Sequence, residues 1–122
     1  MAVFEDPNGG YCKRFERDMQ KVDNVTIHMF LYPILGADSV EKSKNIWCAK
    51  DPAKAWLDHM VRDHAVSATS VALCDVAAIT RNVELGRKHK VNGTPTLVFA
   101  DGTRVPGAIS AAQVEKYLGA SN

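Results

Sequence analysis

A glycine-rich turn that leads directly into an amphipathic helix is the feature that most constrains this chain. The turn is Asp6-Pro7-Asn8-Gly9-Gly10, and Tyr11 and Cys12 follow it. Because unpaired N–H groups and the helix dipole stabilise a thiolate at a helix N-terminus, this is a place where a thiol can be activated. Cys12 is predicted to face the core, which makes it a poor first nucleophile and a natural second one. That face is indicated by apolar residues at spacings of four, four and three: Cys12, Phe15, Met19 and Val22.

Length and charge limit the class of protein. The chain has 122 residues, 46% of them hydrophobic, so it can form one domain with its own core. A net charge of +1 provides no field that would attract nucleic acid or an anionic membrane. No apolar run approaches the length of a membrane span, and the start at Met1–Glu5 lacks the basic and apolar regions of a signal peptide. We therefore expect no nucleic-acid partner, no membrane insertion and no leader in this chain.

The three cysteines allow at most one internal disulfide and leave at least one thiol. A disulfide between Cys48 and Cys74 would constrain the unfolded chain and stabilise the fold by roughly 3–4 kcal/mol. The alternative is that both are buried, reduced thiols that pack as small hydrophobic side chains. The residues alone leave these two interpretations open.

The first half of the chain predicts strands on either side of the helix, followed by a helical segment. Val25–Tyr32 is rich in β-branched and aromatic residues, which is typical of a buried strand. A first strand is expected to pair beside it, although Val3–Glu5 is short for an independent strand. From Gly36 to about Ala72 the pattern predicts two or three inserted helices. Their starts are indicated by a capping-box-like pair, Asp38 and Glu41, and by the dipeptide Asp51-Pro52.

The second half predicts a helix, a hairpin and a closing helix. The helix runs from about Val76 to Lys90 and ends in a cationic cluster that suits the negative end of the helix dipole. Apolar segments on both sides of Asp101-Gly102 predict a β-hairpin. Ser110 and Gln113 form a capping box ahead of the last helix.

Four motifs of this chain, in their order and spacing, resemble the catalytic domain of the DsbC/DsbG family: Val3–Cys12, Ile46–Asp51, Gly93–Pro95 and Val105–Gly107. These proteins are periplasmic thiol:disulfide isomerases of Gram-negative bacteria. The resemblance covers essentially the whole chain. It implies an α/β, thioredoxin-like fold with a helical insertion at about residues 37–72, and a single catalytic domain over residues 1–122.

The chain departs from this family at Gly9, where the family has the first cysteine of a Cys-Gly-Tyr-Cys pair. The resemblance implies that position 9, at the exposed helix start, would carry the attacking thiol and that Cys12 would resolve. Gly10 and Tyr11 would shape the neighbouring surface, although Tyr11 could equally be a half-buried aromatic. From the residues alone Gly9 is an ordinary turn glycine; the resemblance favours a replaced cysteine, engineered rather than natural. We therefore expect a domain that is inactive, or nearly so, in disulfide exchange.

The resemblance also implies features that the residues alone do not predict. It pairs Cys48 with Cys74 in a structural disulfide. It places a cis peptide bond between Thr94 and Pro95, where an extended substrate peptide would bind. Since only about 5–6% of X–Pro bonds in folded proteins are cis, the sequence alone favours trans.

The resemblance implies partners and a location as well. Family members act on disulfide-containing proteins in the periplasm, are reduced by a membrane-bound DsbD-type thiol reductase, and dimerise through a separate N-terminal domain. That domain is absent from this chain, so we expect a monomeric recombinant fragment. The alternative function is a redox-inactive, thioredoxin-like module that binds peptides as a chaperone.

The histidines predict no further chemistry. His28, His59 and His64 do not stand at metal-ligand spacings with the cysteines, so we expect no metal and no other cofactor. A Cys12–His pair of the kind found in cysteine hydrolases is less favoured than redox chemistry, because no nucleophile motif of such enzymes surrounds Cys12.

Overall fold

The computed structural model describes residues 1–121 and has an α/β architecture with a four-stranded sheet. The strand order is β2-β1-β3-β4. In chain order the elements are β1 (Ala2–Glu5), α1 (Gly10–Met19), β2 (His28–Leu31), α2 (Ala37–Trp47), α3 (Pro52–Met60), α4 (Ala77–Lys88), β3 (Thr96–Val98), β4 (Arg104–Pro106) and α5 (Ala111–Ser121).

Strand β1 is central and positions the turn that precedes α1. It pairs in parallel with β2, where Phe4 lies opposite Phe30, and antiparallel with β3, where Val3 lies opposite Leu97. Strands β3 and β4 form the predicted hairpin, and Gly102 in its turn has a φ of 87°, which glycine adopts without strain. Val3–Glu5, which is short for an independent strand, therefore belongs to a strand in the middle of the sheet.

Three apolar clusters fill the two faces of the sheet. The first joins β1, β3, α1 and α5, and the second joins α1 and β2 to the inserted helices α2 and α3. The third joins β1 and β2 to the segment after α4. Because side chains alternate along a strand, Val3 belongs to the first cluster and Phe4 to the third. Cys12 is buried, as its helical spacing predicted, but it packs in the second cluster, whereas Phe15, Met19 and Val22 of the same predicted face pack in the first.

The second strand is shorter and more exposed than predicted. A buried strand was expected over Val25–Tyr32, but only His28–Leu31 is a strand, and only Leu31 within it is buried. The reason is its position: β2 is an edge strand, so its side chains and backbone are covered on one side only. Composition predicts a strand but not its place in the sheet.

The start of α2 corrects another prediction. Gly36 precedes the helix and no side chain caps it, so the capping box of Asp38 and Glu41 does not form. The carboxylate of Asp38 instead accepts a hydrogen bond from Asn8 at 2.9 Å and pairs with Lys42 at 2.9 Å. These two partners lower the pKa of Asp38, with the Lys42 hydrogen bond as the larger cause.

The insertion contains two helices followed by an irregular segment. At α3 the prediction is confirmed: Asp51 accepts a hydrogen bond from the Lys54 N–H at 3.2 Å, and Pro52 begins the helix. The expected helical pattern up to about Ala72 is wrong, because the chain after Met60 is irregular until α4. The side chain of Thr69 there bonds to Asn45 of α2, so the segment is held by tertiary contacts rather than by helical hydrogen bonds.

The last two predicted helices are confirmed. Helix α4 covers most of the predicted range and buries Ile79 and Gly86. At α5, the Gln113 N–H donates to Ser110 Oγ at 3.2 Å and the Ser110 N–H donates to Gln113 Oε1 at 3.0 Å. These reciprocal bonds are the predicted capping box.

Candidate functional site

Gly9 is the residue before α1, and its backbone has a conformation that any L-amino acid can adopt. Its φ is −74° and its ψ is 119°, an extended conformation that needs no glycine. The Gly9 N–H donates to the Asp6 carbonyl at 3.0 Å, and the Gly9 carbonyl accepts from the Lys13 N–H at 3.0 Å. The turn therefore does not explain why glycine stands here.

A side chain at position 9 would lie against Cys12. A Cβ placed on Gly9 would be 3.0 Å from Cys12 Sγ and 3.3 Å from Cys12 Cβ. The Cβ atoms of a disulfide are about 3.5–4.5 Å apart, so a small outward shift gives the separation that a 9–12 disulfide requires. For most other side chains the same closeness is a steric restriction.

Gly9 is buried, whereas an exposed helix start was expected at this position. The space beside it is enclosed by the Asp6 carbonyl and the Cys12 side chain. The exposed part of the helix start comes immediately afterwards, at Gly10 and Tyr11. Tyr11 is 64% exposed, which contradicts the alternative of a half-buried aromatic, and the Arg14 guanidinium lies 5.1 Å from its ring centroid.

The Cys12 thiol is free and has no exposed surface. Burial raises its pKa above the usual value, and the negative charges of Asp6 and Glu16 act in the same direction. Hydrogen bonds with the Asp6 backbone and the Thr94 side chain act against this shift. Cys12 is therefore a buried thiol with little thiolate character, and it is not accessible to an external disulfide.

The Thr94–Pro95 turn lies on the other side of Cys12. Its peptide bond is cis, as the family resemblance implied, and Pro95 is fully buried. The Pro95 carbonyl accepts from the Gly107 N–H at 2.8 Å, which ties the turn to the end of β4. Through the contact between Thr94 and Cys12, residues far apart in the sequence meet at one site.

The fold brings most of the predicted site residues together. They occupy the start of α1 and the turn before β3: Gly9, Gly10, Tyr11, Cys12, Thr94 and Pro95. Cys48 and Cys74 lie elsewhere and form a disulfide with an S–S distance of 2.07 Å. It joins the end of α2 to the irregular segment before α4.

The carboxylate of Asp6 organises the turn before α1, a role that sequence reasoning missed. One oxygen accepts from the Asn8 N–H at 2.8 Å and from Ser39 Oγ at 2.7 Å. The other accepts from the Ile34 and Leu35 N–H groups at 2.9 and 3.0 Å. The bond to Asn8 is an Asx-type turn, which the Asp-Pro-Asn sequence permits, but the partners after β2 could not be read from it.

Glu5 and Glu16 form a buried carboxyl pair beneath Cys12. Glu5 has no exposed surface and Glu16 is 3% exposed. Burial is the main cause that raises the pKa of Glu5 well above its ordinary value, and its hydrogen bond with Glu16 acts in the same direction. Neither Glu5 carboxylate oxygen has a donor in the described part of the chain. A buried carboxyl without a donor is more stable in its neutral form, in agreement with the raised pKa of Glu5.

Two kinds of feature are absent from residues 1–121. No group of three or more His, Cys, Asp or Glu side chains lies close enough together to hold a metal ion. No described helix is both long and apolar enough to cross a membrane.

Comparison with known proteins agrees with this geometry. A family model described as a thioredoxin-like domain matches residues 1–122. The probable thiol:disulfide interchange protein DsbC of Bordetella pertussis is 48% identical over 97% of this chain and 41% of that protein. DsbC of Escherichia coli is 36% identical over 97% of this chain and 50% of that protein. The chain thus spans half or less of the length of these curated relatives.

Solved structures support the same assignment. The crystal structure of a disulfide interchange protein from Neisseria gonorrhoeae matches with a TM-score of 0.90 and 36% identity, over 98% of this chain and 85% of that one. The catalytic domain of Proteus mirabilis ScsC matches with a TM-score of 0.72 and 26% identity, over 98% of this chain and 81% of that one. A fold with a helix-start cysteine beside a cis proline defines a thioredoxin-like domain, which confirms the predicted fold. Within that class, the chain belongs to the DsbC family of thiol:disulfide interchange proteins, an enzyme family of oxidoreductases and isomerases.

Proposed function

We propose that residues 1–122 form a single catalytic domain of a periplasmic protein disulfide isomerase or reductase that lacks its attacking thiol. Its substrates would be misfolded secreted proteins with wrong disulfides. The observation that carries the proposal is the position of Gly9, where a Cβ would lie 3.0 Å from Cys12 Sγ. Because glycine has no nucleophile, the domain is expected to be inactive, or nearly so, in disulfide exchange.

In the complete reaction, a thiolate at position 9 attacks one sulfur of a substrate disulfide. A mixed disulfide forms and the other substrate sulfur leaves as a thiolate. A substrate thiolate can then attack the mixed disulfide, which regenerates the thiolate at position 9 and leaves the substrate with a new pairing. Alternatively Cys12 attacks the sulfur at position 9, so that the substrate leaves reduced and the enzyme dithiol becomes a disulfide.

Cys12 suits the second attack and not the first. It is fully buried and burial raises its pKa, so it is not a ready thiolate for an external disulfide. A sulfur at position 9, the residue before α1, would instead lie next to Cys12. The start of α1 offers that sulfur free N–H groups and the positive end of the helix dipole.

The substrate peptide would bind beside this pair. The cis Thr94–Pro95 turn borders Cys12, and Gly10 and Tyr11 form the exposed surface at the helix start. An extended peptide there could place its disulfide over position 9. Tyr11, which is 64% exposed, would contact the residues that flank the disulfide.

Restoring the thiol tests the proposal. The Gly9→Cys variant should reduce insulin with a thiol reductant, whereas the unchanged chain and the matched Gly9→Ser variant, which adds a side chain without a thiol, should remain near background. Gly9→Cys should also form a 9–12 disulfide that mass spectrometry detects after oxidation. Family-level turnover by the unchanged chain would contradict the proposal.

The remaining parts of the proposal concern the whole protein. By analogy with the family, a membrane-bound DsbD-type reductase would keep the site reduced, and a separate N-terminal domain would form a homodimer in the periplasm. Residues 1–122 alone would then be a monomer. Sedimentation of this chain as a dimer would contradict that part without affecting the assignment of the site.

A second function is favoured by the surface around Gly9. Tyr11 is 64% exposed and Leu35, whose N–H is bound to Asp6, is 60% exposed, so apolar surface remains beside a site without an attacking thiol. The domain would then be a redox-inactive module that holds extended polypeptide. If Gly9→Cys stays inert in insulin reduction while peptide binding persists, this second function is the correct one.

A further inference from the structure

The dipeptide Asn-Gly occurs twice in this chain, as Asn8-Gly9 and as Asn92-Gly93. It is chemically reactive, because glycine has no Cβ to hinder an attack by its backbone nitrogen on the side-chain carbonyl carbon of the asparagine. The bond from that carbon to the amide nitrogen then breaks, ammonia leaves, and a five-membered succinimide ring remains. Water opens the ring at either carbonyl, which gives aspartate or isoaspartate.

The Asn92–Gly93 pair is open to this reaction. It lies in the irregular connection between α4 and β3, both residues are exposed, and a Cβ placed on Gly93 would have no heavy atom within 4 Å. Within residues 1–121, neither the Asn92 side chain nor the Gly93 N–H has a hydrogen-bond partner. The Asn92 amide can therefore turn toward the Gly93 nitrogen, and water can reach the ring that forms.

The Asn8–Gly9 pair is the same dipeptide in a closed setting. Three side chains of α2 hold both ends of the Asn8 amide at 2.8–2.9 Å: Asp38, Ser39 and Lys42. Gly9 is buried, and its N–H is bound to a backbone carbonyl at 3.0 Å. Attack would require the Asn8 amide to leave these partners. The loss of even one hydrogen bond to a charged group reduces the reactive population roughly tenfold or more.

The chain is fixed on both sides of Asn92. Before it, the Val91 carbonyl accepts from the Tyr32 hydroxyl at 2.8 Å. After it, Thr96 Oγ1 donates to the Gly93 carbonyl at 2.7 Å. Isoaspartate routes the main chain through its side chain and adds one carbon atom between these fixed points, so the connection must shift or lose a contact. Aspartate keeps the length of the main chain and adds only a charge.

We propose that Asn92–Gly93 is a site of spontaneous deamidation and that the fold protects Asn8–Gly9 from the same reaction. The modification places aspartate or isoaspartate immediately before the cis Thr94–Pro95 turn. It consumes one water molecule, releases one ammonia molecule and needs no enzyme. That this turn binds substrate rests on the proposed function, whereas the reaction itself does not.

The experiment follows both pairs in one sample. The 122-residue protein would be incubated at mildly alkaline pH and body temperature, and peptide mapping by mass spectrometry would measure the conversion of each amide to the acid. Conversion at Asn92 should be at least about tenfold faster than at Asn8. In denaturant both pairs lose their surroundings, so the two rates should become comparable.

Variants separate the chemistry from the fold. Gly93→Ala places a Cβ beside the attacking nitrogen and should slow conversion at Asn92 several-fold; the space is open and the φ of Gly93 is not positive, so alanine fits. Gly119→Ala is the matched control at another open glycine and should leave both rates unchanged. The isoaspartate fraction, separated by chromatography, should unfold at a lower urea concentration than the Asn92→Asp variant, which carries the charge without the added main-chain atom.

Equal rates at the two asparagines of the folded protein, or no conversion at Asn92, would overturn the proposal. So would continued protection of Asn8 in denaturant, because the fold would then not be its cause. An isoaspartate fraction that unfolds together with Asn92→Asp would contradict the expected shift of the connection. None of these measurements uses disulfide exchange, so a failure of the proposed function in insulin reduction by Gly9→Cys is distinguishable from a failure here.

Discussion

His59 Nε2 lies 2.7 Å from the carbonyl oxygen of Pro7, and both residues are buried. His59 belongs to the inserted helix α3, whereas Pro7 belongs to the turn that ends at Gly9. Together with the hydrogen bond from Ser39 Oγ to Asp6, this contact fixes the turn from two inserted helices. The insertion is thus a support for the start of α1.

Removing this imidazole should destabilise the domain. His59→Ala leaves the Pro7 carbonyl buried without its donor, which costs about 1–3 kcal/mol. Urea unfolding measures the effect. The matched control is His64→Ala, because His64 is an exposed histidine of the same region, and its change should be within about 0.5 kcal/mol. Equal effects of the two substitutions would contradict a specific role for the contact.

The buried Glu5–Glu16 pair should make stability fall as pH rises. The pKa of Glu5 is raised in the folded state, so the folded state holds a proton that the unfolded state has lost. Stability therefore decreases between the ordinary glutamate pKa of 4.5 and the raised folded value. Glu5→Gln keeps the shape without the ionisation, so its stability relative to the unchanged chain should rise as pH increases from 4.5 toward the raised folded pKa.

The control for this prediction is Glu41→Gln, which changes an exposed glutamate of α2. The difference in unfolding free energy between Glu41→Gln and the unchanged chain should stay nearly constant over the same pH range. Thermal or urea unfolding at several pH values provides the comparison. A Glu5→Gln difference that is equally flat would rule out the raised pKa.

Replacing each of two helical glycines by alanine should change the stability of the domain in opposite directions. A Cβ on Gly86 would overlap Tyr32 Cε1, and Tyr32 is held by the hydrogen bond from its hydroxyl to the Val91 carbonyl. Gly86→Ala should therefore destabilise by about 1–3 kcal/mol through overpacking. Gly119 has nothing within 4 Å of its Cβ position, so Gly119→Ala should stabilise by about 0.5–1 kcal/mol. Denaturant midpoints of the two variants test the contrast, and a stabilised Gly86→Ala would contradict it.

The disulfide should contribute substantially to stability. Cys48 and Cys74 are 26 residues apart in the sequence. For a loop of that length the chain-entropy model gives about 3.5 kcal/mol. The double variant Cys48→Ser, Cys74→Ser should lose a comparable amount in urea unfolding. Reductant should lower the stability of the unchanged chain toward that of the variant and leave the variant unaffected; a loss below about 1 kcal/mol would show that the model does not apply here.

Local signals in the sequence predicted the elements that local interactions determine. Asp101-Gly102, Ser110 with Gln113, and Asp51-Pro52 each stabilise a turn or a helix start through neighbours within four positions, and each occurs as predicted. Predictions failed where distant residues compete. Asp38 would have capped α2, but Asn8 and Lys42 bind its carboxylate instead.

The same distinction holds for the site. The spacing of Cys12 on its helix predicted its burial, and the family motifs predicted the cis bond at Pro95. The roles of Asp6 and His59 depend on partners about thirty and fifty positions away, which no local pattern contains. Glycine before a helix is ordinary, so the sequence does not show whether this position needs a glycine. The φ of Gly9 in the structure shows that its backbone conformation is open to any residue.

The buried thiol of Cys12 makes it possible to measure how often the folded domain opens locally. It is the free cysteine of the described chain and it has no exposed surface, so a thiol reagent can modify it only after α1 separates from its surroundings. When closing is faster than modification, the labelling rate is proportional to the population of opened molecules, and the free energy of opening follows from it. Labelling of Cys12 therefore measures the local opening of this domain with no added probe.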